Sequence, residues 1–249
     1  MKTLARHILT VTVLLGFVQT ATAQTADEII EKHIAAMGGR AALAKLTSRT
    51  TIGTITLSTP GGEISGPIEV YNQAPNKART LIELDLSAFG AGKMTIDQRF
   101  DGTTGYAIDT LQGNRDITGD QLETMRNAVF PSPFLDYKAA GMKLEMAPKE
   151  KVGDRDAYVL IATPKTGPVT RHYFDAETYA EIRQVSKLNV PPVGELEQTV
   201  DLSDFRVVDG INIPFKLNAT STAQNFTVVM TKVEHNGAID QTTFSKPAN

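Results

Sequence analysis

The stretch His172-Tyr173-Phe174-Asp175-Ala176-Glu177-Thr178-Tyr179-Ala180-Glu181 places one histidine and three carboxylates within ten residues. A histidine beside a carboxylate is the make-up of a general acid–base pair, and added carboxylates could complete a cation site. One reading is therefore a hydrolase or metal enzyme using His172 with Glu177 or Glu181. The same residues also suit a β-hairpin. Asp at the first turn position accepts from backbone amides two residues on, which accounts for Asp175. Glu177 then stands at the loop tip, and Glu181 and Arg183 share the solvated face of a strand with Ile182 on the other. His172 and Phe174 fall on one face and Tyr173 on the opposite one. The turn reverses the chain between His172 and Glu177 and keeps them apart. The hairpin accounts for the stretch with no further assumption, so no catalytic or metal-binding residue is assigned.

The other candidates are weaker. His33 lies on the apolar face of a helix, where a lone histidine is a core or interfacial residue. His235 precedes the turn pair Asn236-Gly237 and is expected to be exposed. Asp154 and Asp156 flank Arg155 in a turn and lack the remaining ligands of an EF-hand. There is no H-E-x-x-H, G-x-S-x-G, P-loop or dinucleotide glycine pattern. The chain has no cysteine, which removes disulfides, thiolate nucleophiles and Cys-ligated metals. No cofactor is expected. No basic block or RNA-binding signature is present, so nucleic acid is not an expected partner.

The elements that must position these residues follow from periodicity. Thr25 to Met37 reads as an amphipathic helix with Ile29, Ile30, Ile34 and Met37 on its apolar face. Thr25 and Glu28 form its capping box, and Gly38-Gly39 ends it. Arg40 to Lys45 is a second short helix. From Thr51 the period is two. In Lys77 to Leu86 and again in Met94 to Phe100, apolar residues alternate with charges, as half-buried antiparallel strands do. Thr118 to Val129 reads as a helical insert. Pro131 and Pro133 bar its continuation through Phe130 to Leu135. Strands resume at Met142 and run almost to the end. The pattern is α+β, mainly β: one large antiparallel sheet with helices placed on it, about ten or eleven strands by its turn signals.

The first residues have the three parts of a secretory signal peptide: a basic start at Lys2 and Arg6, an apolar run from Ile8 to Val18, and Ala21-Thr22-Ala23 as cleavage site. Cleavage after Ala23 removes Lys2 and Arg6 and moves the formal net charge from −3 to −5. The expectation is a periplasmic protein, residues 24–249 forming a single domain, with no transmembrane segment after signal cleavage.

The order of elements resembles that of the outer-membrane lipoprotein-sorting proteins of the LolA/LolB-like superfamily. The likeness rests on Ala42-Leu43-Ala44-Lys45-Leu46-Thr47-Ser48, Gly66-Pro67-Ile68-Glu69-Val70-Tyr71, Phe100-Asp101-Gly102-Thr103 and Asn236-Gly237-Ala238-Ile239-Asp240. It is closer to relatives with strings like Gly153-Asp154-Arg155-Asp156-Ala157-Tyr158-Val159, Tyr173-Phe174-Asp175-Ala176-Glu177-Thr178 and Asp204-Phe205-Arg206-Val207-Val208-Asp209-Gly210-Ile211-Asn212-Ile213-Pro214-Phe215. The resemblance implies an incomplete antiparallel β-barrel, closed on one side by helices, whose apolar cavity takes acyl chains. The family's lipoprotein carrier has an arginine before the proline after its second strand, which latches its lid. Gln73-Ala74 precede Pro75 here, so the resemblance implies a relative without that latch. Relatives also carry glycine where this chain has Tyr179, which implies local strain or a different hairpin loop.

The expected function is an exported binding protein, carrier or sensor, for a lipid or acylated protein. Strand parity and the proline-flanked loop assign its apolar cavity to Ile82, Leu84, Met94, Ile96, Phe100, Phe130 and Phe134. The alternative is a non-catalytic envelope module that binds a protein partner along its open sheet edge.

Overall fold

The computed structural model describes residues 24–110, 112–190 and 194–247. Residues 1–23, read above as a signal peptide, lie outside them. Helix α1 (Ala26–Ala36) begins with the expected capping box: Thr25 Oγ1 accepts from Glu28 N, and the Glu28 carboxylate accepts from Thr25 N at 3.0 Å. Gly38 follows at φ +119°. A Cβ there would stand 2.3 Å from the carbonyl oxygen of Gly210, so glycine is required by both conformation and contact. Helix α2 (Arg40–Leu43) leads into the sheet.

Before the helical insert come β1 (Ser48–Thr59), β2 (Gly62–Gln73), β3 (Lys77–Asp85), β4 (Lys93–Phe100), β5 (Gly105–Asp109) and β6 (Arg115–Ile117). After α3 (Gly119–Asn127) come β7 (Lys143–Val152), β8 (Arg155–Thr163), β9 (Thr170–Asp175) and β10 (Glu181–Val190). The chain finishes with β11 (Gly194–Val208), β12 (Ile211–Ser221) and β13 (Asn225–His235). All thirteen strands form one sheet in the order β6-β5-β4-β3-β2-β1-β13-β12-β11-β10-β9-β8-β7, and every neighbouring pair is antiparallel. The sheet is mainly-β as expected but has thirteen strands, not ten or eleven. The three residues of β6 are too few to display a period of two. The two end strands do not pair with each other, so the sheet is open.

Two main apolar clusters hold the structure. The first joins Ile29, Ile30 and Ile34 of α1, Leu43, and the loop residues Phe130, Phe134 and Tyr137 to Leu160, Phe174, Ile211, Ile213 and Phe215 of the sheet. Each fully buried Ile, Leu or Phe side chain contributes roughly 1.5–3 kcal/mol, so this cluster fixes α1 on the sheet. The second contains Ile55, Leu57, Ile68, Leu84, Met94 and Val228, with Ile82 and Ile96 packed against it. Helix α3 adds nothing to either cluster: it has no buried residue. The apolar cluster over the sheet thus comes from α1, Leu43 and the loop after α3, while α3 lies against β10 with its apolar residues only half-buried. Opposite the apolar face of β4, Asp97 is buried rather than solvated. Arg79 holds it with two bonds of 2.8 Å, and Arg99 adds two more, at 2.8 and 3.1 Å.

Candidate functional site: a hollow beneath the proline-flanked loop

The loop from Phe130 to Tyr137 cannot be helical across Pro131 and Pro133, and it is tied down at both ends. Phe130 N donates to Pro75 O at 2.7 Å. Arg40 Nη1 donates to Leu135 O at 2.7 Å, and the Tyr137 hydroxyl donates to Asp27. Beneath it lie two cavities of about 290 and 390 Å3. Arg49, Pro131, Pro133, His172 and Gln184 line both, so they are lobes of one hollow. Arg49 is on β1 and His172 on β9, five strand steps apart in the sheet order. In a flat sheet those steps would span about 24 Å. Both residues line the same cavities, so the sheet must curl around the hollow.

His172 Nδ1 bonds Glu181 Oε1 at 2.5 Å, and both side chains are about nine-tenths buried. This corrects the solvated-face expectation for Glu181. The cause is a β-bulge between Glu181 and Arg183: Glu181 pairs with Phe174, Arg183 with Tyr173 and Gln184 with His172. One extra residue reverses strand parity and turns Glu181 to the side of Gln184 and His172. Burial alone would raise the Glu181 pKa. The charges of His172 and His33 and hydrogen bonds from His172 and Gln184 outweigh it, and the carboxyl is held below its ordinary value. Glu177 takes no part: it is exposed at the turn, where its backbone N–H donates to Asp175 Oδ1 at 3.2 Å. His33 is buried, with Phe134 edge-on at 5.8 Å between centroids and Phe174 at 4.8 Å. Its Nδ1 donates to the Tyr179 carbonyl at 3.0 Å, since a carbonyl can only accept. Burial pulls its pKa down against the charge of Glu181. Tyr179 adopts φ +57°, the strained of the two outcomes expected for it. Its ring stacks on Tyr158, and its hydroxyl accepts from Gln24 and Lys32.

A second polar chain approaches from the other wall. His235 is not exposed: its side chain is 1% accessible. Its Nδ1 bonds Asp209 Oδ2 at 3.1 Å and its Nε2 accepts from Arg49 Nε at 3.2 Å. Because Nε2 accepts, Nδ1 carries the proton and donates to the carboxylate. The Arg49 guanidinium sits 5.3 Å above the Phe130 ring. Burial lowers its pKa to about 10.

Of the residues assigned to the cavity from sequence, Phe134 lines the smaller lobe and Phe130 the larger. Ile82, Leu84, Met94 and Ile96 share one face of β3 and β4, with Ile82 opposite Ile96 and Leu84 opposite Met94, but lie in the second apolar cluster. Phe100 is fully buried, and none of these five lines the hollow. Arg49 and Gln184 carried no sequence signal, because nothing local tells which strands meet, and His235 reads only as an exposed residue beside a turn. Among the described residues, no group of three or more His, Cys, Asp or Glu side chains could hold a metal ion. Asp156 pairs with Lys151 at 3.2 Å. Ser132 lines the smaller lobe, and its hydroxyl accepts from Phe134 N at 3.3 Å.

The architecture is that of proteins built on one curled antiparallel sheet with a covered hollow. No family model and no curated protein matches the chain. Among solved structures, a domain described as that of an outer membrane lipoprotein-sorting protein from Vibrio parahaemolyticus matches with a TM-score of 0.56 at 10% identity, over 88% of this chain and 95% of that one. A LolA superfamily protein from Nitrosomonas europaea matches with a TM-score of 0.56 at 14% identity, over 90% and 99%. A DUF1329 family protein from Desulfovibrio piger matches with a TM-score of 0.56 at 12% identity, over 87% and 95%. The chain thus shares the fold of these three structures across nearly its whole described length.

Proposed function

We propose that the protein is an exported envelope protein that holds an acyl chain, of a lipid or an acylated protein, in the hollow beneath the Phe130–Tyr137 loop. The observation that carries this reading is the hollow itself. It lies between an apolar loop and a curled sheet, and its lobes of about 290 and 390 Å3 fall at the lower end of the roughly 300–1,000 Å3 of small-molecule sites. Phe130, Phe134 and Met142 supply apolar wall. Burying an alkyl chain there contributes about 0.8 kcal/mol per CH2, enough for tight binding with few polar contacts. The signal-like start of the chain supports a periplasmic location, and no described helix is long and apolar enough to cross a membrane. Binding without chemistry fits the His172–Glu181 pair, which is occupied with itself and with Gln184.

The test is native mass spectrometry of protein purified from its own periplasm, with lipid extraction alongside. A stoichiometric apolar adduct is expected. A clean ligand-free mass, under conditions that keep a known lipid carrier loaded, overturns the reading. One observation favours the second function, a module that docks a protein partner: β7 ends the open sheet with a free edge, and Met146 on it is 41% exposed. The charges Lys143, Glu145, Lys149 and Lys151 along β7 oppose indiscriminate pairing.

A further inference from the structure

Arg49 is a cation without a counter-ion. Its Nη2 is buried and has no hydrogen-bond partner, and among the described residues no carboxylate lies within ion-pair distance of it. Its side-chain hydrogen-bond partner, His235 Nε2, is a neutral acceptor that satisfies one of five N–H donors, and the Phe130 ring beneath the guanidinium supplies no hydrogen bond. The carboxylates of the two neighbouring networks are engaged elsewhere: Glu181 by His172 and Gln184, Asp209 by His235. Arg49 as a whole is half-buried, but a guanidinium nitrogen withdrawn from water with no acceptor is costly. The fixed Asp209–His235–Arg49 chain holds this one in place, at the wall common to both lobes. Asn72, directly opposite Arg49 in the β1–β2 ladder, and Gln184 bring amides to the larger lobe. Apolar rings and a methionine stand alongside: Phe130 and Met142 in the larger lobe, Phe134 in the smaller.

We propose that Arg49 is the head-group site of an anionic amphiphile, its guanidinium taking a carboxylate or phosphate while the alkyl chain lies against Phe130, Phe134 and Met142. This rests on the acyl-chain reading above and adds the charge of the ligand. A guanidinium presents a planar fork that matches both anions and prefers them to a neutral hydroxyl head group. The same anion could arrive without a chain, as free phosphate, and the experiment separates the two.

The experiment is calorimetric titration of delipidated protein with dodecanoate, dodecyl phosphate, 1-dodecanol and inorganic phosphate, repeated on Arg49→Gln and Arg49→Lys. Unsubstituted protein is expected to bind at least one of the two anionic amphiphiles about 10- to 100-fold more tightly than dodecanol, the range of one charge-assisted pair. Arg49→Gln is expected to bring that amphiphile to within about threefold of dodecanol, with dodecanol unchanged. Arg49→Lys, a point charge without the fork, should keep part of the preference. Equal affinity for anionic and neutral amphiphiles overturns the inference and leaves the acyl-chain reading standing. So does a preference that survives Arg49→Gln, or free phosphate binding as tightly as the amphiphiles. Failure of all three amphiphiles overturns both. The comparison on unsubstituted protein decides the matter even if a variant does not fold.

Discussion

Replacing Glu181 tests the bulge and the buried pair together. In the folded protein its carboxylate accepts from His172 Nδ1 at 2.5 Å in a nearly closed site. A hydrogen bond to a charged group contributes about 1.5–3 kcal/mol and a neutral one about 1 kcal/mol. Glu181→Gln keeps an acceptor but loses the charge, so it should cost about 1–2 kcal/mol at pH 7. Glu181→Ala also leaves His172 Nδ1 without its partner and should cost about 3 kcal/mol. The pH dependence follows from the depressed carboxyl pKa. In the unfolded chain the group titrates near 4.5, and in the fold it stays ionised to lower pH. Its contribution is therefore present above 4.5 and is lost as pH falls below that value toward the folded pKa. Urea denaturation at pH 7 and pH 3.5 measures both quantities, and the gap between the unsubstituted protein and Glu181→Gln should narrow at the lower pH. A cost below about 0.5 kcal/mol for Glu181→Ala is what a solvated-face residue would give, and it would refute the bulged register. So would a Glu181→Gln deficit that does not change with pH.

Three further outcomes are expected. Phe134→Ala should destabilise by about 3–5 kcal/mol, since the ring is fully buried among His33, His172 and Phe174, and should weaken amphiphile binding in the same titrations. Gly38→Ala should cost about 2–3 kcal/mol in urea denaturation, because φ is +119° and the new Cβ would meet the Gly210 carbonyl. His33 has a folded pKa below 6.5, so below pH 6.5 the unfolded chain binds more protons and stability is lost as pH is lowered, by at most about 1.4 kcal/mol per unit. His235 is shifted in the same direction, so the slope between pH 7 and 5.5 should shrink in His33→Phe without vanishing.

What sequence could and could not show divides along strand pairing. Helix α1 was legible because its signals are local: a cap, an apolar period and two terminal glycines within a few residues. Most strands were legible from their alternation, and the apolar face of β3 and β4 was read in the right parity, as the pairs Ile82–Ile96 and Leu84–Met94 attest. Which apolar face borders the hollow was not legible. That depends on the sheet order, which brings β1 and β9 to one cavity although more than a hundred residues separate Arg49 from His172. No periodicity encodes such a meeting. The proline-flanked loop gave the one cavity assignment that local sequence could support, because prolines that stop a helix next to two phenylalanines mark a loop with something to bury.

The polar residues of the hollow were misread for a connected reason. Period-two reasoning assigns a charge between apolar neighbours to the solvated face, and it fails wherever a strand gains a residue. The ladder slips between Glu181 and Arg183 and again between Ile52 and Gly53, three residues after Arg49. The first slip turns Glu181 inward to His172. His235, read as exposed from the Asn236-Gly237 turn beside it, is covered instead because β13 pairs it across the sheet with Arg49. A pair of self-satisfied groups such as His172–Glu181 can serve structure alone. An arginine held by a neutral histidine, with one nitrogen buried and unpartnered, keeps a positive charge that an anion can meet. That asymmetry between the two walls of the hollow is why the anion is placed at Arg49 and not at the histidine–glutamate pair.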